Sequence, residues 1–479
     1  MHWIDFSIFI VYMIVMLGVG LYFLKRNKNT EDYYVGGRSL GKWHIGLSVV
    51  ATDVGGGFSI GLGGLGFLMG LSGSWMLFTG LIGAWLSAVL LIPKVSKVAR
   101  DNKFMTFPQL FTHYYDGKVA LVAGIISAVG YIGFTSSQLL AGAKLASATF
   151  PELNINTALL IMGIIAIVYT GTGGLKAVIY TDTIQWAILL VGLIFIGIPF
   201  AYYTTGGWEV ISTSLSKEFF SLSNITWQQL VNWGFTIIPI WFVGMTLYQR
   251  IYASKSTKEA QKAWYIAGLF EYPVMAFMGV ILGLLGKVAF DANMFADIGY
   301  AAGSSIDEEM GLPLLLNHVL PVGLLGLMLA AYFSAILSTA DSCLMAASGN
   351  VQTDLLGKWR FLNKNKKHTL RISQIITILI GAFALLLASN MQNVLSLMLY
   401  SYAFMVSGLL LPVIGALYWK KASPLAALVA MIGGGGTTIS LIALDVNLPL
   451  NLDANILGIT ISSILFFGIG IIQYKLKDK

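Results

Sequence analysis

Val49-Val-Ala-Thr-Asp-Val-Gly-Gly-Gly57 is the stretch whose reading decides the fold, and it lies inside an apolar segment running from about His44 to Met69. A carboxylate and three consecutive glycines are foreign to a plain membrane helix. Glycine is among the poorest helix formers, and a charge at bilayer depth is costly. Both are accommodated where a spanning helix breaks against a protein-lined cavity, because the freed backbone groups can then hold an ion or a solute. The stretch therefore predicts a broken helix, with the rest of the chain built around it.

The chain has 479 residues, 57% of them hydrophobic and 11% charged, against about 25% charged in a soluble globular chain. Its apolar residues fall in runs of about 20, the length that crosses a bilayer. This defines an all-α polytopic membrane protein. The net charge of +7 would suggest nucleic acid in a soluble chain, but topology explains it here. The single cysteine, Cys343, excludes an intramolecular disulfide. The first apolar run, Phe6–Leu24, has no basic residue before it and no small-residue cleavage site, so it reads as a retained helix.

The apolar runs predict thirteen spans, at roughly 4–24, 43–69, 73–93, 119–148, 157–171, 175–203, 229–248, 263–287, 313–348, 370–389, 392–419, 423–444 and 453–474. With the N-terminus outside and the C-terminus cytoplasmic, all but Lys144, Lys217 and Lys287 of the 29 lysines and arginines fall on inner loops or inner span edges. This is the positive-inside pattern, and it explains the charge without a nucleic-acid partner. Asp291, Asp297, Asp307, Glu308 and Glu309 crowd one outer loop, where they serve topology and solubility. No stretch is long and polar enough for a separate soluble domain, so residues 1–479 form one membrane domain.

A second interrupted span lies five spans after the first, carrying Pro239, Trp241 and Gly244. Paired interrupted helices point to inverted repeats with the solute site between them. Four carboxylates fall inside spans: Asp53, Asp182, Glu271 and Asp341. Each is a functional candidate, the alternative being a carboxyl kept neutral or bonded to a neighbouring helix. Asp341 sits in the densest polar cluster, where Ala335, Ser338, Thr339 and Ser342 share one helical face. Hydroxyls alone are ordinary packing groups in membranes. Beside a carboxylate they suit a hard cation that prefers oxygen. The glycines at 61–66 read as helix packing, and the five histidines make no metal or triad pattern.

At these residues the chain resembles the sodium:solute symporter family, which includes proline, sugar, sialic acid and choline transporters. The resemblance is carried by Asp32–Gly41, Ala51–Gly57, Gly173–Gln185 and Ser338–Ser342, in that order. It implies a leucine-transporter-like fold: a leading helix (about 4–24), a first five-helix repeat (about 43–203), an inverted second repeat (about 229–419) and trailing helices (about 423–474). It also implies a sodium site made by the carbonyls of Ala51, Val54 and Ala335 with the hydroxyls of Ser338 and Thr339. A second sodium site maps onto Asp182, Ser338, Asp341 and Ser342. The solute pocket maps onto Asp53, Gly57, Gly61, Phe134, Gln138, Trp241 and Phe242. The aromatic cage that a quaternary amine wants is missing, with Asp53 and Gly244 where its tryptophans are expected; an acid at Asp53 is similar to the proline branch.

The resemblance thus implies a cell-membrane symporter whose partners are sodium, a small solute and the lipid bilayer, with no obligate protein partner. An amino-acid or amine-like solute is favoured; a sugar, an organic anion and proton coupling stay open. A sensor using this fold would need a signalling domain after the last span, where only Gln473–Lys479 remains. A channel needs no midplane pocket, and an enzyme has no nucleophile–base pair to stand on.

Overall fold

A computed structural model describes residues 2–24, 30–150, 152–357 and 366–477. The side chains of Asp53 and Val54 lie outside the described residues. The helices that position the site and its surroundings are α1 (Trp3–Leu24), α2 (Lys42–Met69), α3 (Trp75–Leu90), α4 (Gly117–Thr149), α5 (Ile155–Gly192), α6 (Trp227–Val243), α7 (Met245–Ala253), α8 (Thr257–Leu269), α9 (Ala276–Asp291), α10 (Gly311–Val319), α11 (Leu324–Asn350), α12 (Lys366–Ala388), α13 (Val394–Tyr418), α14 (Pro424–Ala443) and α15 (Ala454–Lys477). Helix is the expected answer for such runs, since a lipid-exposed backbone must satisfy its own hydrogen bonds.

Among the described residues, nine helices are long and apolar enough to cross a membrane, ten if the bent pair α6–α7 is one span. The expected count of thirteen is not confirmed by length and composition. Residues 43–69 and 73–93 contribute to one apolar stretch, Gly55–Leu90. Where spans 157–171 and 175–203 are predicted, Val178–Thr204 is long enough to cross and Ile155–Val168 is a shorter apolar piece, and the backbone stays helical between them through residues 171–174. Glycine only weakens a helix, and the surrounding helices override that cost.

At the centre stands α11, in which every residue from Met328 to Asn350 is buried. Around it pack α2, α4, α5 and α12. Where α2 crosses α9 the backbones nearly touch: a Cβ on Gly283 would sit 1.9 Å from the Gly63 carbonyl oxygen. The leading helix is pinned to the centre by Asp5, which accepts from the backbone N–H groups of Gly323 (2.7 Å) and Gly326 (2.8 Å) at the start of α11. That is a carboxylate at the positive end of a helix.

Two ties hold opposite ends of the bundle. On one side Leu40 pairs with the strap after α7, through Leu40 N–H to Ala253 O (3.1 Å) and Lys255 N–H to Leu40 O (3.0 Å). Glu259 then accepts from the first N–H of α2, on Lys42, at 2.9 Å. On the other side the buried Lys144 of α4 binds Asp307 and Glu309, the latter at 2.6 Å. Glu309 in turn accepts from the N–H groups of Val394 and Leu395, both at 2.9 Å, at the start of α13.

Candidate functional site

The break in α2 falls at Gly55, whose φ of 31° and ψ of −158° are non-helical. Only glycine fits there, for two reasons. The backbone is left-handed, and a Cβ would lie 2.5 Å from the Thr339 hydroxyl. Beyond the break the second half-helix begins with bare N–H groups, and a side chain from α4 covers them. Gln138 Oε1 accepts from Gly56 N–H at 2.7 Å and Gly57 N–H at 3.3 Å.

The second interrupted span behaves alike. The pair α6–α7 bends by 41° at Gly244, and the first N–H groups of α7 also meet α4. Tyr131 Oη accepts from Thr246 N–H at 3.1 Å and lies 3.0 Å from the Thr246 hydroxyl. Tyr131 and Gln138 are seven residues apart, two turns along one face of α4. A single helix therefore caps both broken ones.

Opposite the break, the Thr339 hydroxyl donates to the carbonyl oxygens of Ala51 (2.8 Å) and Ala335 (3.3 Å). Ala51, Ala335 and Thr339, three of the five residues mapped to the shared sodium site, thus meet in one place. Their oxygens, two carbonyls and one hydroxyl, are the kind of donor a hard cation takes. Ser338 turns elsewhere and donates to Asp182. Val54 lies outside the described residues.

Asp182, Ser338, Asp341 and Ser342 are all fully or almost fully buried. Asp182 accepts from Ser338 with one oxygen and from Ser48 with the other. Asp341 accepts from Thr170 of α5. Its Oδ2 is buried with no hydrogen-bond partner among the described residues. The Ser342 hydroxyl accepts from Arg250 at 2.9 Å and from Thr52 at 3.3 Å.

Arg250 is what the sequence hid. It is fully buried, on α7, and its guanidinium reaches four elements. Nε donates to Ser48 (3.1 Å), Nη1 to the Thr246 carbonyl (3.2 Å), and Nη2 to Thr52 and Ser342. Nη2 also lies 3.6 Å from Asp182. By position alone Arg250 belongs to the inner basic residues. The signal that could have found it is its flank of Tyr248, Ile251 and Tyr252, apolar on both sides rather than loop-like.

The residues mapped to the solute pocket divide. Gly57 abuts Gln138 and Met398, and Gly61 abuts Leu395, so both face α4 or α13 at the break. Phe134, one turn before Gln138, stands edge-on to Tyr402 of α13 with centroids 5.0 Å apart. Trp241 points to another quarter, with its ring against Gly83 of α3 and near Trp264 of α8. Phe242 lines a 460 Å³ apolar groove with Leu90, Ile238, Leu410 and Tyr418. Leu90 and Tyr418 are exposed there, so this groove opens at the surface of the bundle. Glu271, in a π-turn beside Tyr272, packs against Gly80 of α3, apart from the ion cluster. Asp53 lies outside the described residues.

Two broken helices, a crossing of carbonyls and hydroxyls, and buried acids in apolar surroundings define a multi-pass secondary transporter. The chain matches the sodium:solute symporter family model over residues 33–434, and it belongs to that family. It is 28% identical to the sodium/proline symporter of Escherichia coli over 447 residues, covering 90% of this chain and 86% of that one. It is 25% identical to sodium/glucose cotransporter 1 of Oryctolagus cuniculus, covering 90% and 70%. A solved Na+-coupled sialic acid symporter superposes with a TM-score of 0.81 at 21% identity, covering 98% of both chains. This likeness establishes the fold as that of these leucine-transporter-like carriers. Sodium-coupled solute transport is the family's activity, and the chain is a multi-pass membrane protein.

Proposed function

We propose that this chain imports a small amine-bearing solute, amino-acid-like in shape, together with sodium by alternating access across the cell membrane. The observation that carries the reading is the pairing at Gly55. On one side lie the Ala51 and Ala335 carbonyls with the Thr339 hydroxyl. On the other lie the N–H groups of Gly56 and Gly57, a half-helix start that favours a carboxylate. Asp53, two residues before the break, supplies the opposite charge for an ammonium.

The arrangement supports one domain with a leading helix, two inverted five-helix repeats and trailing helices, the N-terminus outside and the C-terminus inside. Thirteen spans follow if the bent pair α6–α7 is one span, if the shorter apolar helices Trp3–Val15 and Ile155–Val168 also cross, and if Gly55–Leu90 divides at Gly70–Ser74. In this reading the first sodium sits at Ala51, Val54, Ala335 and Thr339, with Ser338 beside it. Asp182, Asp341 and Ser342 form a second cation-binding region.

Similarity to the sodium/glucose cotransporter supports a second reading, in which the solute is a sugar. A competition panel against wild type and Asp53→Asn separates the two. The amine reading predicts that Asp53→Asn weakens amino acids at least tenfold while the sodium requirement moves little. A best competitor that is a neutral sugar, unaffected by the substitution, overturns it.

A further inference from the structure

The buried cluster at Asp182 is an oxygen cage that already holds a cation. Four oxygens, from Ser48, Thr52, Ser342 and Asp182, surround the Arg250 guanidinium. They come from three helices: α2 before its break, α5 and α11. Such a set of hydroxyls and one carboxylate is what a hard cation takes. Here the guanidinium fills it, and it carries a permanent charge because arginine does not deprotonate in proteins.

Charge balance gives the arrangement its meaning. One fully buried base, Arg250, lies 3.6 Å from the fully buried Asp182, and Asp341, one residue before Ser342, is a second fully buried acid. An ionised acid stripped of its partner in such surroundings is strongly disfavoured. A carrier returning without sodium faces that situation at every cycle, unless something in the chain replaces the ion.

We propose that Arg250 is a tethered stand-in for sodium: it occupies the Asp182 cage when the carrier is empty, and sodium arriving at Asp182 displaces it. The inference rests on the reading of this chain as sodium-coupled. The tether is suited to the task. Arg250 sits on α7, only nine residues long, which starts at the Gly244 bend. Withdrawal of the guanidinium frees α7 from Ser48 and Thr52 on the first half of α2, and from Ser342 on α11. Ion arrival is thereby coupled to loosening of the contact between the two broken helices. Asp341, with one buried oxygen still unpartnered by hydrogen bonds, offers the incoming ion a further acceptor.

The test is equilibrium binding of radioactive sodium to the purified full chain, as wild type, Arg250→Met, Asp182→Asn and the double variant. Arg250→Met should bind sodium at least tenfold more tightly than wild type and hold one more ion per chain when sodium is limiting. The double variant should lose that gain. In Arg250→Ala, millimolar guanidinium should compete with sodium, while equal potassium should not. Should the neutral variants fail in sodium-free buffer, the proposal predicts monodisperse protein in sodium and aggregates in choline. Recovery in neither buffer overturns it. Unchanged sodium affinity in a folded Arg250→Met, or a loss equal to that of Asp182→Asn, also overturns it. A wild type that binds no sodium at all refutes the symport reading itself; binding by wild type with unchanged variants refutes only the role of Arg250.

Discussion

Removing the Thr339 hydroxyl tests the sodium site at its most specific point. That oxygen touches the carbonyls of Ala51 at 2.8 Å and Ala335 at 3.3 Å, and it faces the glycine that breaks α2. It is the only side-chain oxygen known to join both carbonyls among the described residues, since Ser338 turns to Asp182. Losing one neutral ligand, or one buried hydrogen-bonding group, costs about 1–3 kcal/mol. Because about 1.4 kcal/mol is tenfold in an equilibrium constant, the sodium concentration for half-maximal uptake should rise roughly five- to hundredfold in Thr339→Ala. Thr339→Ser keeps the oxygen and should stay within about threefold of wild type. The assay is initial solute uptake into proteoliposomes across a series of sodium concentrations, with thermal unfolding as a check on integrity. An unchanged half-saturation in a folded Thr339→Ala refutes the assignment. A rise shared equally by Thr339→Ser points to packing instead of ligation.

Gly55→Ala should abolish sodium-dependent uptake. The left-handed backbone alone costs a side chain about 1–2 kcal/mol, and the new Cβ would strike Thr339; full activity in this variant removes the break from the mechanism. Gln138→Leu uncovers the Gly56 and Gly57 N–H groups at a cost of about 1–3 kcal/mol. It should alter the solute KM far more than the sodium requirement, read from uptake at fixed sodium and varied solute. Lys144→Met leaves the buried Glu309 without its charge partner. It should lower stability by about 3–5 kcal/mol and raise labelling of a cysteine placed near the start of α13, because the tie to Asp307 and Glu309 is cut.

The breaks were legible because glycine, proline and a carboxylate are tolerated together in an apolar run almost nowhere except against a lined cavity. Ala51 lies 284 residues before Ala335 and 288 before Thr339, and only the family pattern links it to them in sequence. Run length divided residues 157–203 into two spans, whereas the helix continues through the glycines between them, because neighbouring helices hold it. Trp241 and Phe242 are adjacent in sequence, so they leave the helix about 100° apart. Nothing in the sequence says which neighbour each meets. Arg250 was least legible of all. A charge near a span end ordinarily reaches water, and its four partners come from residues up to 202 positions away. Burial by three distant helices is a property of packing, invisible to any local window.

The central claim is that a sodium gradient drives this carrier, and uptake into proteoliposomes tests it directly. Labelled amino acids and sugars are offered under an inward sodium gradient, under choline with a pH gradient, and with both gradients collapsed. Accumulation of an amine-bearing solute above equilibrium, present only with the sodium gradient and indifferent to pH, is the predicted result. Accumulation that follows the pH gradient without sodium, or equilibration of every solute under all three conditions, would contradict the account.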